Sequence, residues 1–142
     1  MTSQEIENIL SKFSEKYDEE FNIPTTNDWK NLREYFYTEF DSDFVKFINL
    51  MSVWSFPGEI YNVIDNNSNG NDIIKNIYDF EMKYSEWDKN MIPFYGIGNG
   101  DYFCVHSDNE NVWYFYHDRQ KFELYCNDFE EWIRNLPEFI CR

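Results

Sequence analysis

The sequence predicts an α+β fold, with helices concentrated before residue 90, an antiparallel sheet within residues 91–126, and one closing helix. Two observations carry this. Apolar residues recur at three-to-four spacing through the first 84 residues, the period of a helix buried on one face. From Met91 the pattern changes to four short apolar runs separated by turns of three to five residues, the signature of an antiparallel meander. The core material is plentiful, because 14 Phe, 11 Tyr and 5 Trp make up 21% of the 142 residues. Each buried ring removes about 150–250 Å² from water, so the chain is not intrinsically disordered.

Thr2 and Glu5 have capping-box spacing, and Ile6, Ile9, Leu10, Phe13 and Tyr17 follow as a stripe. A first helix is therefore expected over residues 3–17. Thr25 and Asp28 repeat the capping spacing ahead of Trp29, Leu32, Phe36 and Phe40, predicting a second helix over 27–39. Asp41 or Ser42 caps a third, with Phe44, Phe47, Ile48 and Met51 on one face. Pro57-Gly58 is a turn, after which Ile60, Tyr61, Val63 and Ile64 read as a short strand. Residues 65–72 form a polar, Asn-rich loop, and helical spacing returns over 72–84.

Strands are expected at 92–97, 101–106, 112–117 and 122–126. Gly98-Asn99-Gly100 ends the first of these, and residues 107–111 and 118–121 end the next two. In 102–106 and 112–117 both faces are rich in apolar residues. One face should pack on helices, the other being partly covered or an exposed aromatic surface. Asn127 or Asp128 caps a last helix carrying Phe129, Trp132, Ile133 and Leu136, with Pro137 expected just beyond its end. The chain has the length of one domain, shows no separating linker and no internal repeat, and is read as a single domain over 1–142.

The net charge is −15, spread over both halves of the chain. Such a field repels phosphate, so nucleic acid and anionic lipid are excluded as partners, while cationic proteins are attracted. No apolar stretch approaches the ~20 residues that span a bilayer, and no secretory signal opens the sequence. Cys104, Cys126 and Cys141 are odd in number and include no CxxC pair. Reduced buried thiols fit, and a cytoplasmic location is expected.

Chemistry is sparse. His106 and His117, with Asp101, Asp108 and Asp118 nearby, suggest a metal or acid/base cluster, but no third ligand has diagnostic spacing. Cys104 as a nucleophile needs a histidine base, yet its run reads as core. Gly96-Ile97-Gly98-Asn99-Gly100 lacks the Gly-Lys-Ser/Thr ending of a phosphate loop and leads into a strand, so it reads as a hairpin turn, with Asp101 bonding backbone amides within it. No catalytic residue, metal or cofactor is expected, and the chain is not read as an enzyme.

The run Met91-Ile92-Pro93-Phe94-Tyr95-Gly96-Ile97-Gly98-Asn99-Gly100-Asp101-Tyr102-Phe103-Cys104-Val105 resembles the central motif of the SUKH superfamily: apolar strand, Gly-rich turn, Gly-Asp, apolar strand. Val112-Trp113-Tyr114-Phe115-Tyr116-His117-Asp118 is similar to that family's next strand and acidic turn, and Asp128-Phe129-Glu130-Glu131-Trp132-Ile133 to its closing helix. Where the family usually has an Asn-Gly-Gly element after the early helices, this chain has Met51-Ser52-Val53-Trp54.

The resemblance implies a curved antiparallel sheet flanked by helices, with Gly96, Gly98, Gly100 and Asp101 as the motif turn. It also implies that the chain binds a protein. Bacterial members are typically immunity proteins that neutralise polymorphic toxins, often nucleases or deaminases. A eukaryotic branch includes a yeast regulator of cell-wall glucan synthesis. On that basis the loop acids Asp65, Asp108, Glu110 and Asp118 become candidates for contact with a cationic toxin domain, and Trp113, in a strand apolar on both faces, is a candidate interface anchor.

Overall fold

In the computed structural model the described residues are 1–20, 23–64 and 73–140. The Asn-rich loop, Asp65 included, lies outside them. The elements run α1 Ser3–Leu10, α2 Thr26–Phe36, α3 Ser42–Leu50, β1 Glu59–Ile60, α4 Ile74–Tyr84, β2 Met91–Gly96, β3 Tyr102–His106, β4 Val112–Tyr116, β5 Lys121–Cys126 and α5 Phe129–Ile140. The five strands form one sheet in the order β1-β2-β3-β4-β5, each pair antiparallel. The fold is α+β, with an open, curved meander as expected.

Both predicted capping boxes form. The Thr2 hydroxyl accepts from the Glu5 amide while the Glu5 carboxylate accepts from the Thr2 amide, and Thr25 and Asp28 do the same. Asp41 caps α3 by accepting from the amides of Asp43 and Phe44.

Four boundaries depart from the sequence reading, each for an identifiable physical reason. Helix α1 stops at Leu10 rather than residue 17. Turn bonds carry the chain on to Ser14, whose amide donates to the Leu10 carbonyl at 2.9 Å. Beyond Ser14 the backbone bonds residues 53–55, with the Tyr17 amide donating to the Val53 carbonyl at 2.7 Å and the Ser55 amide to the Glu15 carbonyl at 2.9 Å. Helix α2 stops at Phe36 because Tyr37 turns left-handed, at φ 52° and ψ 45°. Phe40 still reaches the core from outside the helix, with its ring 5.9 Å from Trp29 and 5.3 Å from Phe44.

The strand expected over residues 60–64 shrinks to Glu59–Ile60. The Asn62 side chain accepts from the amides of Val63 and Ile64, which removes those donors from any ladder. Pro137 lies inside α5 and not after it. A proline there removes one backbone bond, but the last turn is held by Phe139, whose ring stands 5.4 Å from Phe103 and 6.1 Å from Tyr125.

The sheet is covered on both faces. On one side Trp132 of α5 is fully buried, with ring contacts to Phe47 of α3 at 5.3 Å and Phe94 of β2 at 4.9 Å. On the other side Trp87, from the segment after α4, packs on Phe115 at 4.7 Å and Phe122 at 4.8 Å, and its indole N–H donates to the Met91 carbonyl at 2.8 Å. That side is therefore core, with Trp113 and Tyr102 half-buried at its margin.

The β2–β3 turn needs its glycines. Gly98 and Gly100 sit at φ +103° and +97°, a region that costs an L-residue about 1–2 kcal/mol. A side chain at Gly98 would meet open space, whereas a Cβ at Gly100 would stand 3.0 Å from the His117 ring. Urea denaturation should therefore show Gly98→Ala destabilised by about 1 kcal/mol and Gly100→Val by about 2–3 kcal/mol, since overpacking adds to backbone strain. Equal losses would show that the His117 contact is not restrictive.

Candidate functional site

Hairpin register decides which polar residues can work together. Tyr102 pairs with Phe115 and Val105 with Val112. His106 therefore lies at one end of the β3–β4 hairpin and His117 at the other, so the two do not form one cluster. Among the described residues no group of three His, Cys, Asp or Glu is arranged to hold a metal ion. Burial pushes the Cys104 thiol well above its ordinary value, and the Glu81 charge adds to this; burial likewise raises Cys126 to about 12. Neither is a thiolate nucleophile at neutral pH.

At the His117 end the organising group is Asp101, only 8% exposed. One carboxylate oxygen accepts from the His117 amide at 2.9 Å and bonds the His117 ring Nδ1 at 2.6 Å. The other accepts from the Tyr114 hydroxyl at 2.8 Å. Asp101 does bond a backbone amide, but that amide lies at the end of β4 and not within its own turn. The turn amide of Asp101 is instead bonded by the Asn99 side chain at 3.0 Å. Burial acts against the charged carboxylate and is the largest single influence, yet the bonds from His117 and Tyr114 together outweigh it and hold its pKa below the ordinary value. Burial first, then the bond to Asp101, raise the Tyr114 phenol, which keeps its proton.

At the His106 end the β3–β4 loop meets the connector between α2 and α3. The Thr38 hydroxyl donates to the Ser107 carbonyl at 2.7 Å, tying the two segments together. His106 Nδ1 accepts from the Asp108 amide at 3.0 Å, which fixes the loop and occupies that nitrogen. Between the segments opens a cavity of about 400 Å³, floored by Phe40, Phe44, Val105 and Phe129 and rimmed by Glu39, Asp41, Asp108 and Glu110. Tyr37 stands beside it, 92% exposed.

Of the predicted contact residues, Asp108 and Glu110 share this cleft. Asp118 is exposed in the β4–β5 turn at the opposite end, within 4.0 Å of Arg119, and Trp113 is half-buried against the Trp87 cluster. Asp65 lies outside the described residues. Glu39 and Tyr37 were not singled out by sequence reasoning, since the connector carries no glycine to mark its left-handed turn.

A family model described as "SMI1-KNR4 cell-wall" matches residues 5–139. Among solved structures the chain is similar to a protein from Pseudomonas syringae pv. tomato, known from its crystal structure. The two share 17% identity over 94% of this chain and 96% of that one, with a TM-score of 0.67. At that identity the likeness shows the fold. No curated protein matches the sequence.

The Asp101 bonds give a pH dependence of definite sign. A carboxyl held low in the fold contributes stability that is complete above its unfolded pKa and is lost as pH falls through the folded value. Asp101→Asn should cost about 1–3 kcal/mol at pH 7, the range for buried bonds to a charged group. The gap between parent and variant should narrow below about pH 4, as followed by denaturation at a series of pH values. A gap that stays constant down to pH 2 would remove the charge from the account.

Proposed function

The chain belongs to the SMI1-KNR4 cell-wall family, and we propose that it is a cytoplasmic immunity protein, a single non-catalytic domain that neutralises a cationic toxin by binding it. The observation that carries this is the cleft between the β3–β4 loop and the α2–α3 connector. Its aromatic floor offers apolar area to bury, and its four rim carboxylates match a basic surface. A toxin that acts on nucleic acid needs basic residues to hold phosphate. Carboxylates placed over those residues would block the substrate sterically and electrostatically. Tyr37 fits the role of an anchor, being an exposed ring beside the cleft. Among the described residues no helix is long and apolar enough to cross a membrane.

A second reading is favoured by the family description itself, which refers to the cell wall. On that reading the chain is a regulatory adaptor, and the same cleft meets an endogenous basic partner.

The experiment is co-expression with the product of a toxin gene adjacent to this one, followed by stopped-flow association of the purified pair. Growth should be restored, and an equimolar complex should form quickly at low salt and more slowly as salt rises, since exposed charges are screened over about 8–10 Å near physiological ionic strength. Replacing Asp108 by Asn and Glu110 by Gln together should lower the association rate about 3- to 10-fold and leave folding stability almost unchanged. Asp118→Asn, at the far end, serves as the control. An acidic toxin with salt-independent association would refute the electrostatic mechanism, and absence of any complex or rescue would refute the immunity role.

A further inference from the structure

The sheet carries a second concavity at its opposite end, on the helix side, beyond the last turn of α5. It measures about 510 Å³ and is walled by Tyr95, Tyr114, Tyr116, Tyr125 and Phe139, with Glu123 as the acidic residue of its lining. Two of these tyrosines have their hydroxyl protons committed inside the chain. Tyr114 donates to Asp101 at 2.8 Å and Tyr95 to the Pro57 carbonyl at 2.9 Å. Their phenol oxygens therefore face any further ligand as acceptors only. The pocket combines these acceptors with the Glu123 carboxylate, which Lys121 approaches only to 3.9 Å in an exposed pair, and with aromatic ring faces, whose quadrupole favours positive charge.

We propose that this pocket receives an arginine side chain from an extended segment of a basic protein partner. The chain shows the contact on the pocket's own wall. Arg119, outside the lining, holds its guanidinium 4.2 Å from the centre of the Tyr116 ring. The planar guanidinium stacks on rings and is weakly hydrated, so it suits a ring-walled pocket better than a lysine ammonium does. An extended presentation follows from the neighbouring strand. β5 ends the sheet, and no strand pairs with its outer side among the described residues. It has six residues without proline or glycine, and Leu124 and Tyr125 are 51% and 37% exposed. An added strand there would lie alongside the pocket. A second copy is a poor occupant, because each chain carries −15. The same charge repels a nucleic-acid ligand.

This site goes beyond the cleft reading and stands apart from it, at the other end of the sheet. The test uses the full chain labelled with ¹⁵N and titrated with a blocked pentapeptide, Thr-Val-Arg-Val-Thr, and with versions carrying Leu or Glu at the centre. The Arg peptide should give saturable shifts concentrated at β4, β5 and the turn between them, with affinity at least about five-fold above the Leu peptide, the scale of one cation–π contact. The Glu peptide should not bind. Glu123→Gln should weaken the Arg peptide by about 3- to 5-fold, the range of a partly exposed ion pair, without changing the Leu peptide. Tyr116→Leu should weaken it as well. Equal binding of Arg and Leu peptides would make the pocket an apolar dock and overturn the assignment. So would shifts located at the acidic cleft, a lack of saturable shifts, or a peptide-free dimer in sedimentation that protects β5. Apart from shifts at the cleft, which would report on Asp108 and Glu110 directly, these outcomes do not involve those two residues, so failure here is distinct from failure of the cleft.

Discussion

The open end of this sheet is set by one buried carboxylate. Asp101 follows a turn that only glycines complete easily, and its oxygens reach past its own hairpin to the end of β4. A buried charge is tolerated only when its lone pairs are occupied. The three donors from His117 and Tyr114 meet that demand, and in doing so fix the β2–β3 turn against the β4–β5 turn. The Gly-Asp pair of the motif has its physical reason here: glycine allows the turn, and the carboxylate locks the turn to the neighbouring strand. The same bonds orient Tyr114, and so decide what one wall of the second pocket can offer a ligand.

Aromatic packing supplies the rest of the rigidity. Trp132 and Trp87 occupy opposite faces of the sheet, each surrounded by rings at centroid distances of 4.7–6.2 Å. With both faces covered, two ring-lined concavities remain at the two ends of the sheet. Each is lined by rings and edged by carboxylate. An acidic shell around a ring-rich core steers basic proteins and gives them something apolar to bury once they arrive.

The two ends differ in how their chemistry is held. The cleft near Asp108 is built from two connecting segments joined by the Thr38–Ser107 bond, so its shape depends on loop conformation. The tyrosine pocket is built from strands and the end of α5, and the hydroxyls of Tyr95 and Tyr114 are directed by bonds inside the chain. The first suits a partner read by charge and contact area, the second a single side chain read by geometry.

Much of this was legible in the sequence. Helix stripes, both capping boxes, the meander of short turns and the glycine turn follow from local spacing, because local backbone bonding obeys rules that act over a few residues. Other features were decided by contacts between distant segments. Past the turns that follow helix α1 the backbone bonds residues 53–55 and does not continue the helix, and α5 continues through Pro137 with Phe139 packed on Phe103. The candidate residues show the same division. Sequence reasoning found Asp108 and Glu110 as loop acids and Gly100-Asp101 as a turn. Only the strand register placed Asp118 at the other end of the sheet, separated His106 from His117, and brought Glu39 and Asp41 to the rim with Asp108. Register depends on which side chains pair across the ladder and pack on the faces, and no stretch of sequence read alone contains that pairing.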